Sequence, residues 1–74
     1  SLFLSDMKAR IMEAVRELPD NYRQAFEMSR GGNITNKEIA EKLGVSVKTV
    51  EYYITQSLKI LRVKLKDYLY FFLC

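Results

Sequence analysis

Histidine is absent from this chain of 74 residues, cysteine and proline each occur once, and glycine occurs three times. Without histidine or paired cysteines, neither the common zinc ligand sets nor a nucleophile-base pair can be assembled, so no metal is expected. No glycine-rich loop opens onto a helix, and Gly31-Gly32 reads as a connector. Asp20 with Glu27, and Glu13 with Glu17, read as solvated helix charges. The sequence therefore argues against an enzyme, and no cofactor is expected. The one cysteine, Cys74, has no partner within the chain, which excludes an internal disulfide and makes a cytosolic setting the default.

Long apolar runs are missing too. The opening SLFLSDMKAR is apolar for a stretch too short for a signal peptide or a membrane span, so no membrane insertion is expected. Because the first residue is serine, two origins stay open: a piece of a longer protein, or loss of the initiator. A content of 49% hydrophobic and 28% charged residues, with so little glycine and proline, leaves no linker, disordered tail or low-complexity segment. The length fits a single domain spanning 1–74, burying only about 60% of its unfolded surface.

The net charge of +3 is unevenly placed. Residues 1–44 carry seven basic and seven acidic side chains, which cancel. Residues 45–74 carry five basic ones (Lys48, Lys59, Arg62, Lys64, Lys66) against Glu51 and Asp67, so 5 minus 2 supplies the whole excess. A basic C-terminal half is the footprint of a phosphate-contacting element. So small an excess implies modest affinity and strong salt sensitivity.

The most informative segment is Asn36 to Tyr53, NKEIAEKLGVSVKTVEYY. Thr35 and Glu38 form a capping-box pattern ahead of the Ile39 and Leu43 face, and Gly44 supplies a left-handed helix end. Ser46, with Thr49 three residues on, caps a second helix. Its apolar series Val47, Val50, Ile54, Leu58, Leu61 and Leu65 predicts a core-facing stripe. Ala40 fills the small contact position, while Ile39, Leu43, Val45, Val50 and either Tyr53 or Ile54 fill the apolar slots, as a helix-turn-helix requires. The opposite stripe reads Lys48, Thr49, Tyr52, Thr55, Gln56 and Lys59, with Glu51 at its border. These hydroxyl, amide and amine groups suit phosphates and base edges, and Gln56 is the favoured base reader.

Upstream, Met7, Ile11, Val15 and Leu18 follow the Ser5 and Asp6 cap signals, and Tyr22, Ala25, Phe26 and Ser29 follow Pro19. The expectation is an all-α, four-helix domain over about 5–18, 19–30, 36–43 and 46–70. Its expected core is Ile11, Val15, Phe26, Ile39, Leu43, Val50, Ile54 and Leu58.

Taken together, LPDNYRQAFEMSR and NKEIAEKLGVSVKTVEYYITQSLKILR resemble region 4 of sigma-70 family factors of the extracytoplasmic-function group, over about Met7 to Leu69. The wording is similar to that of factors from Bacteroides-like bacteria. The resemblance implies a sigma region 4 or winged-helix-like helix-turn-helix with a long C-terminal recognition helix. It implies binding to the minus-35 element of double-stranded promoter DNA in the cytoplasm, with an apolar helical surface holding the beta flap of RNA polymerase core. Carried onto matching positions, Lys48, Thr49, Glu51, Tyr52, Thr55 and Gln56 would touch DNA, with Ser46 and Tyr53 near phosphates; Lys59 joins them from the polar stripe. Many family members have arginine where Glu51 and Gln56 stand here, so the preferred promoter sequence is not inherited. The region that melts the minus-10 element is outside this resemblance, so this chain alone is not expected to start transcription.

The helix-turn-helix segment also resembles the output domain of LuxR-like response regulators, but Leu18, Pro19, Asp20 and Tyr22 fit the sigma pattern better. A protein-only adaptor for polymerase or an anti-sigma factor is the other alternative. The tail KDYLYFFLC carries apolar side chains on nearly all sides of a helix. One reading continues the core through Tyr68 and Phe72 onto Phe3 and Leu4. The other makes Leu69, Phe71 and Leu73 a patch for an anti-sigma factor, the rest of the factor, or self-association.

Overall fold

A computed structural model describes residues 2–66, with side chains from Leu4 onward. Four helices follow in order: α1 (Leu2–Arg16), α2 (Asp20–Gly31), α3 (Asn36–Leu43) and α4 (Val47–Lys64). No strand occurs among the described residues. α1 begins at Leu2, so Ser5 and Asp6 lie inside its first turns and do not cap it. Between α1 and α2, Pro19 takes the position preceding the first helical residue, with φ −52° and ψ 145°. Its carbonyl accepts the Arg23 N–H at 2.8 Å, so the missing proline N–H costs the new helix nothing.

The turn between α3 and α4 is fixed by local chemistry. The Thr35 hydroxyl accepts the Glu38 N–H at 3.1 Å while a Glu38 carboxylate oxygen accepts the Thr35 N–H at 2.9 Å. At the other end Gly44 adopts φ 69° and ψ 35°, the left-handed conformation that an L side chain resists. The Val45 N–H then reaches the Ala40 carbonyl at 3.0 Å. Ser46 restarts the chain as a cap, accepting the Thr49 N–H at 3.1 Å.

Packing falls into two clusters. One joins α2, α3 and α4 through Ala25, Ile39, Ala40 and Val50, with Met28, Ile34, Leu43, Val45, Tyr53 and Ile54 against them. Ile39 and Val50 are completely buried, each worth about 1.5–3 kcal/mol of transfer free energy. The other joins α1 to the far end of α4 through Ala14, Leu18, Leu61 and Leu65, with Ile11, Val15, Tyr22, Phe26 and Ile60 around them. Between the two, Ser57 is fully buried, and its hydroxyl donates toward the Tyr53 carbonyl at 2.8 Å and the Tyr22 carbonyl at 3.2 Å. A small side chain there lets α2 and α4 approach closely.

Several expected core positions differ. Val47 is 40% exposed instead of lining the stripe, because the buried line of α4 runs through Val50, Ser57 and Leu61. On a helix turning about 100° per residue, that line is rotated by roughly 40° from the middle of the expected stripe, of which Val50, Leu61 and Leu65 are buried. Leu58 is consequently only half-buried, and the expected core residues Ile11, Val15, Phe26, Leu43 and Ile54 pack from the periphery. Leu4 is exposed. The tail residues Tyr68, Leu69, Tyr70, Phe71, Phe72 and Leu73, and the stretch of α4 expected to reach residue 70, lie outside the described residues.

Candidate nucleic-acid interface

With the core on its Val50, Ser57 and Leu61 side, α4 turns Lys48, Glu51, Tyr52, Thr55, Lys59 and Arg62 outward, all of them exposed. Lys48 and Lys59 are separated by about 16 Å along the helix axis, comparable with the width of a major groove at about 12 Å. Lys48, Lys59 and Arg62 make no salt bridge with a described residue, whereas Lys64 is occupied by Glu17 at 2.7 Å. Glu51 also makes none. The other site residues read from the sequence stand at the margins. Thr49 and Gln56 are half-buried, Tyr53 packs into the helix-turn-helix cluster, and Ser46 is exposed at the cap. The Ser46 and Thr49 hydroxyls are 2.9 Å apart, so both are already partly engaged with each other.

The first turn of α4 differs electrostatically from those of its neighbours. α2 and α3 place Asp20 and Glu38 in their first turns, where a carboxylate complements the positive end of the helix dipole. α4 has no acidic residue there and carries Lys48 instead. A cation at that end is intrinsically unfavourable, and becomes favourable when an anion is shared between the lysine and the free N–H groups.

A tyrosine cluster supports the middle of this face. Tyr22 of α2 meets the Tyr52 ring edge-on, with centroids 6.2 Å apart and planes at 82°, and lies 5.6 Å from the Tyr53 ring. Tyr52 remains 54% exposed, so its ring is braced from behind while its outer edge faces solvent. The Tyr22 hydroxyl titrates above its ordinary value, chiefly through hydrogen bonding with Tyr52, then through burial and the neighbouring phenols. Near neutral pH the Tyr22 phenol is therefore polar and uncharged.

Three contributors escape a reading of the sequence by motif. Ser57 and Tyr22 act from behind the face, by setting the spacing of α2 and α4 and by bracing Tyr52. Val47 lies at the edge of the face, beside Glu51. The Ser57 position was detectable, since on a helical projection it falls about 20° from Val50 and about 40° from Leu61; the Tyr22–Tyr52 contact joins two helices and has no local signal.

A helix-turn-helix whose second helix presents an open polar and basic face defines a DNA-binding domain. The family described as Sigma-70, region 4 matches residues 8–61, and the chain belongs to that family. No curated protein and no solved structure matches it. Membership favours the sigma reading over the LuxR-like one and gives the domain its role: DNA binding in promoter recognition, in association with RNA polymerase. The family is a regulatory one and not a family of enzymes. Among the described residues no helix is long and apolar enough to cross a membrane, and no group of side chains could hold a metal ion.

Proposed function

We propose that this domain reads the minus-35 element of promoters for a sigma factor of the extracytoplasmic-function group, with the outward face of α4 lying in the major groove. The observation that carries this reading is the exposed row Lys48, Tyr52, Thr55 and Lys59, whose two lysines make no salt bridge with a described residue, projecting from a turn fixed by Gly44 and Ser46. In this reading Ser46, Lys48 and Lys59 engage phosphates, helped by the N–H groups of the first turn. Tyr52, Thr55 and Gln56 address base edges, with Thr49 and Tyr53 bordering the groove. Glu51 accepts from a cytosine amine where the sequence offers one and otherwise disfavours close phosphates. An apolar helical surface away from this face holds the beta flap of polymerase, and an anti-sigma factor competes for the domain in the cytoplasm. The apolar tail after residue 68 supplies a further contact, to such a regulator or to a second copy.

The test separates phosphate from base contacts. Lys48→Ala should weaken binding to all duplexes alike and reduce the salt slope of log affinity by about 1. Gln56→Ala should instead relax preference at a single base pair, with the slope unchanged. Equal affinity and an unchanged preference in both variants would remove α4 from the interface.

A further inference from the structure

Two exposed aliphatic side chains of α4, Val47 and Val63, have no counterpart in phosphate or hydrogen-bond chemistry, and of these Val47 stands in the first turn. Val47 is 40% exposed, while Val50, three residues on, is completely buried. On the helical projection Val47 neighbours Glu51 and lies at the edge of the row that contains Lys48 and Thr55. Its position gives the fold little. Valine is a weaker helix former than alanine, the first turn of a helix favours a carboxylate, and an exposed isopropyl group gains only partial burial. It is well suited to contact, however. A β-branched side chain in a helix holds one dominant rotamer, so docking it against a surface orders little that was free.

Base edges in the major groove offer one exposed apolar group, the C5-methyl of thymine, and the first residues of a recognition helix are those that approach base edges. We infer that Val47 packs against the C5-methyl of a thymine and fixes that base in the sequence this domain prefers. The inference rests on the reading that α4 enters the major groove. On this face the Thr55 methyl and the Tyr52 ring can also meet a methyl group, and of the two Tyr52 stands nearer Val47 along the axis. It lies about 7.5 Å farther along the helix, roughly two base pairs away, and Tyr22 braces its ring in place. Val47 and Tyr52 therefore address different positions, and their effects are separable.

The experiment begins with selection of a preferred duplex from a random pool by the full 74-residue chain. Each thymine in that duplex is then replaced singly by deoxyuridine, which removes the methyl group and leaves base pairing intact. At one thymine the replacement should weaken wild-type binding about three- to fourfold, the factor expected for one buried methyl. Val47→Ala should be weakened on the parent duplex and indifferent to deoxyuridine at that position, whereas Tyr52→Ala should retain the loss there. If Val47→Ala keeps the full loss at every thymine while Lys48→Ala still weakens binding, the Val47 assignment is overturned and the groove reading stands. If no duplex is enriched, or Lys48→Ala binds as tightly as wild type at every salt concentration, the groove reading fails and Val47 falls with it. Circular dichroism of Val47→Ala should match wild type, since the side chain is exposed.

Discussion

Ser57 has no atom in contact with solvent, and its side chain separates α2 from the helix that carries the DNA-reading face. Replacing it tests whether that spacing is set by packing. Ser57→Ala removes the hydrogen bond to the Tyr53 and Tyr22 carbonyls. Both carbonyls lie within helices and keep their helical N–H partners, so no acceptor is orphaned. The loss is about 0.5–1.5 kcal/mol, offset by about 0.5 kcal/mol from alanine's better helix propensity. The expected net destabilisation is therefore about 1 kcal/mol or less. Ser57→Leu loses the same bond and forces three further carbon atoms into a filled interface. Overpacking costs about 1–3 kcal/mol, giving a total of about 2–4 kcal/mol. For a domain of this size each 1 kcal/mol shifts the midpoint by about 4–8 °C, so Ser57→Leu should melt about 8–30 °C lower while Ser57→Ala falls by at most about 8 °C. Thermal unfolding followed by circular dichroism, with DNA affinity measured well below both transitions, reads the two effects separately. Ser57→Leu should also bind DNA more weakly, because α4 is displaced from the Tyr22 brace. A Ser57→Leu variant that melts at the wild-type temperature and binds unchanged would refute the role of this contact.

Two further outcomes follow from the fold. A Cβ built at Gly44 meets no atom within 4 Å, so Gly44→Ala should lose only the left-handed strain of about 1–2 kcal/mol, and Gly44→Asn less, as urea unfolding midpoints would report. Glu17 is held below its ordinary value of 4.5 by the hydrogen bond from Lys64 and by that lysine's charge. Its lowered value means that its contribution is present above the unfolded pKa and lost as pH falls through the folded one. Thermal midpoints of wild type and Glu17→Gln should therefore differ near neutrality and converge once the pH has fallen through the lowered value of Glu17; a difference that persisted in stronger acid would remove the ion pair as its source.

Legibility followed the range of each interaction. The Thr35–Glu38 box, the Gly44 turn and the Ser46 cap operate within a few residues, so the sequence carries them directly, and with them the existence and direction of α3 and α4. Ile39, Ala40 and Val50 were legible because a helix-turn-helix demands apolar or small residues there. The rotation of α4 was less so. The expected stripe held Val50 and Leu61 together with Val47 and Leu58, and its centre is shifted toward the first pair by α2, whose Tyr22 carbonyl accepts from the buried Ser57 hydroxyl. That same rotation shades Gln56 and Thr49 while leaving Glu51 open. The Glu17–Lys64 pair spans 47 residues of sequence and could not be read from either helix alone.

The account depends on which side of α4 meets DNA, and the most direct measurement is nuclear magnetic resonance of the isotopically labelled chain titrated with its selected duplex. Side-chain and amide shifts should concentrate on Val47, Lys48, Tyr52, Thr55 and Lys59, leaving Met12 and Val15 of α1 unchanged. Shifts confined to α1 and the outer face of α2, with the exposed residues of α4 unmoved, would contradict it.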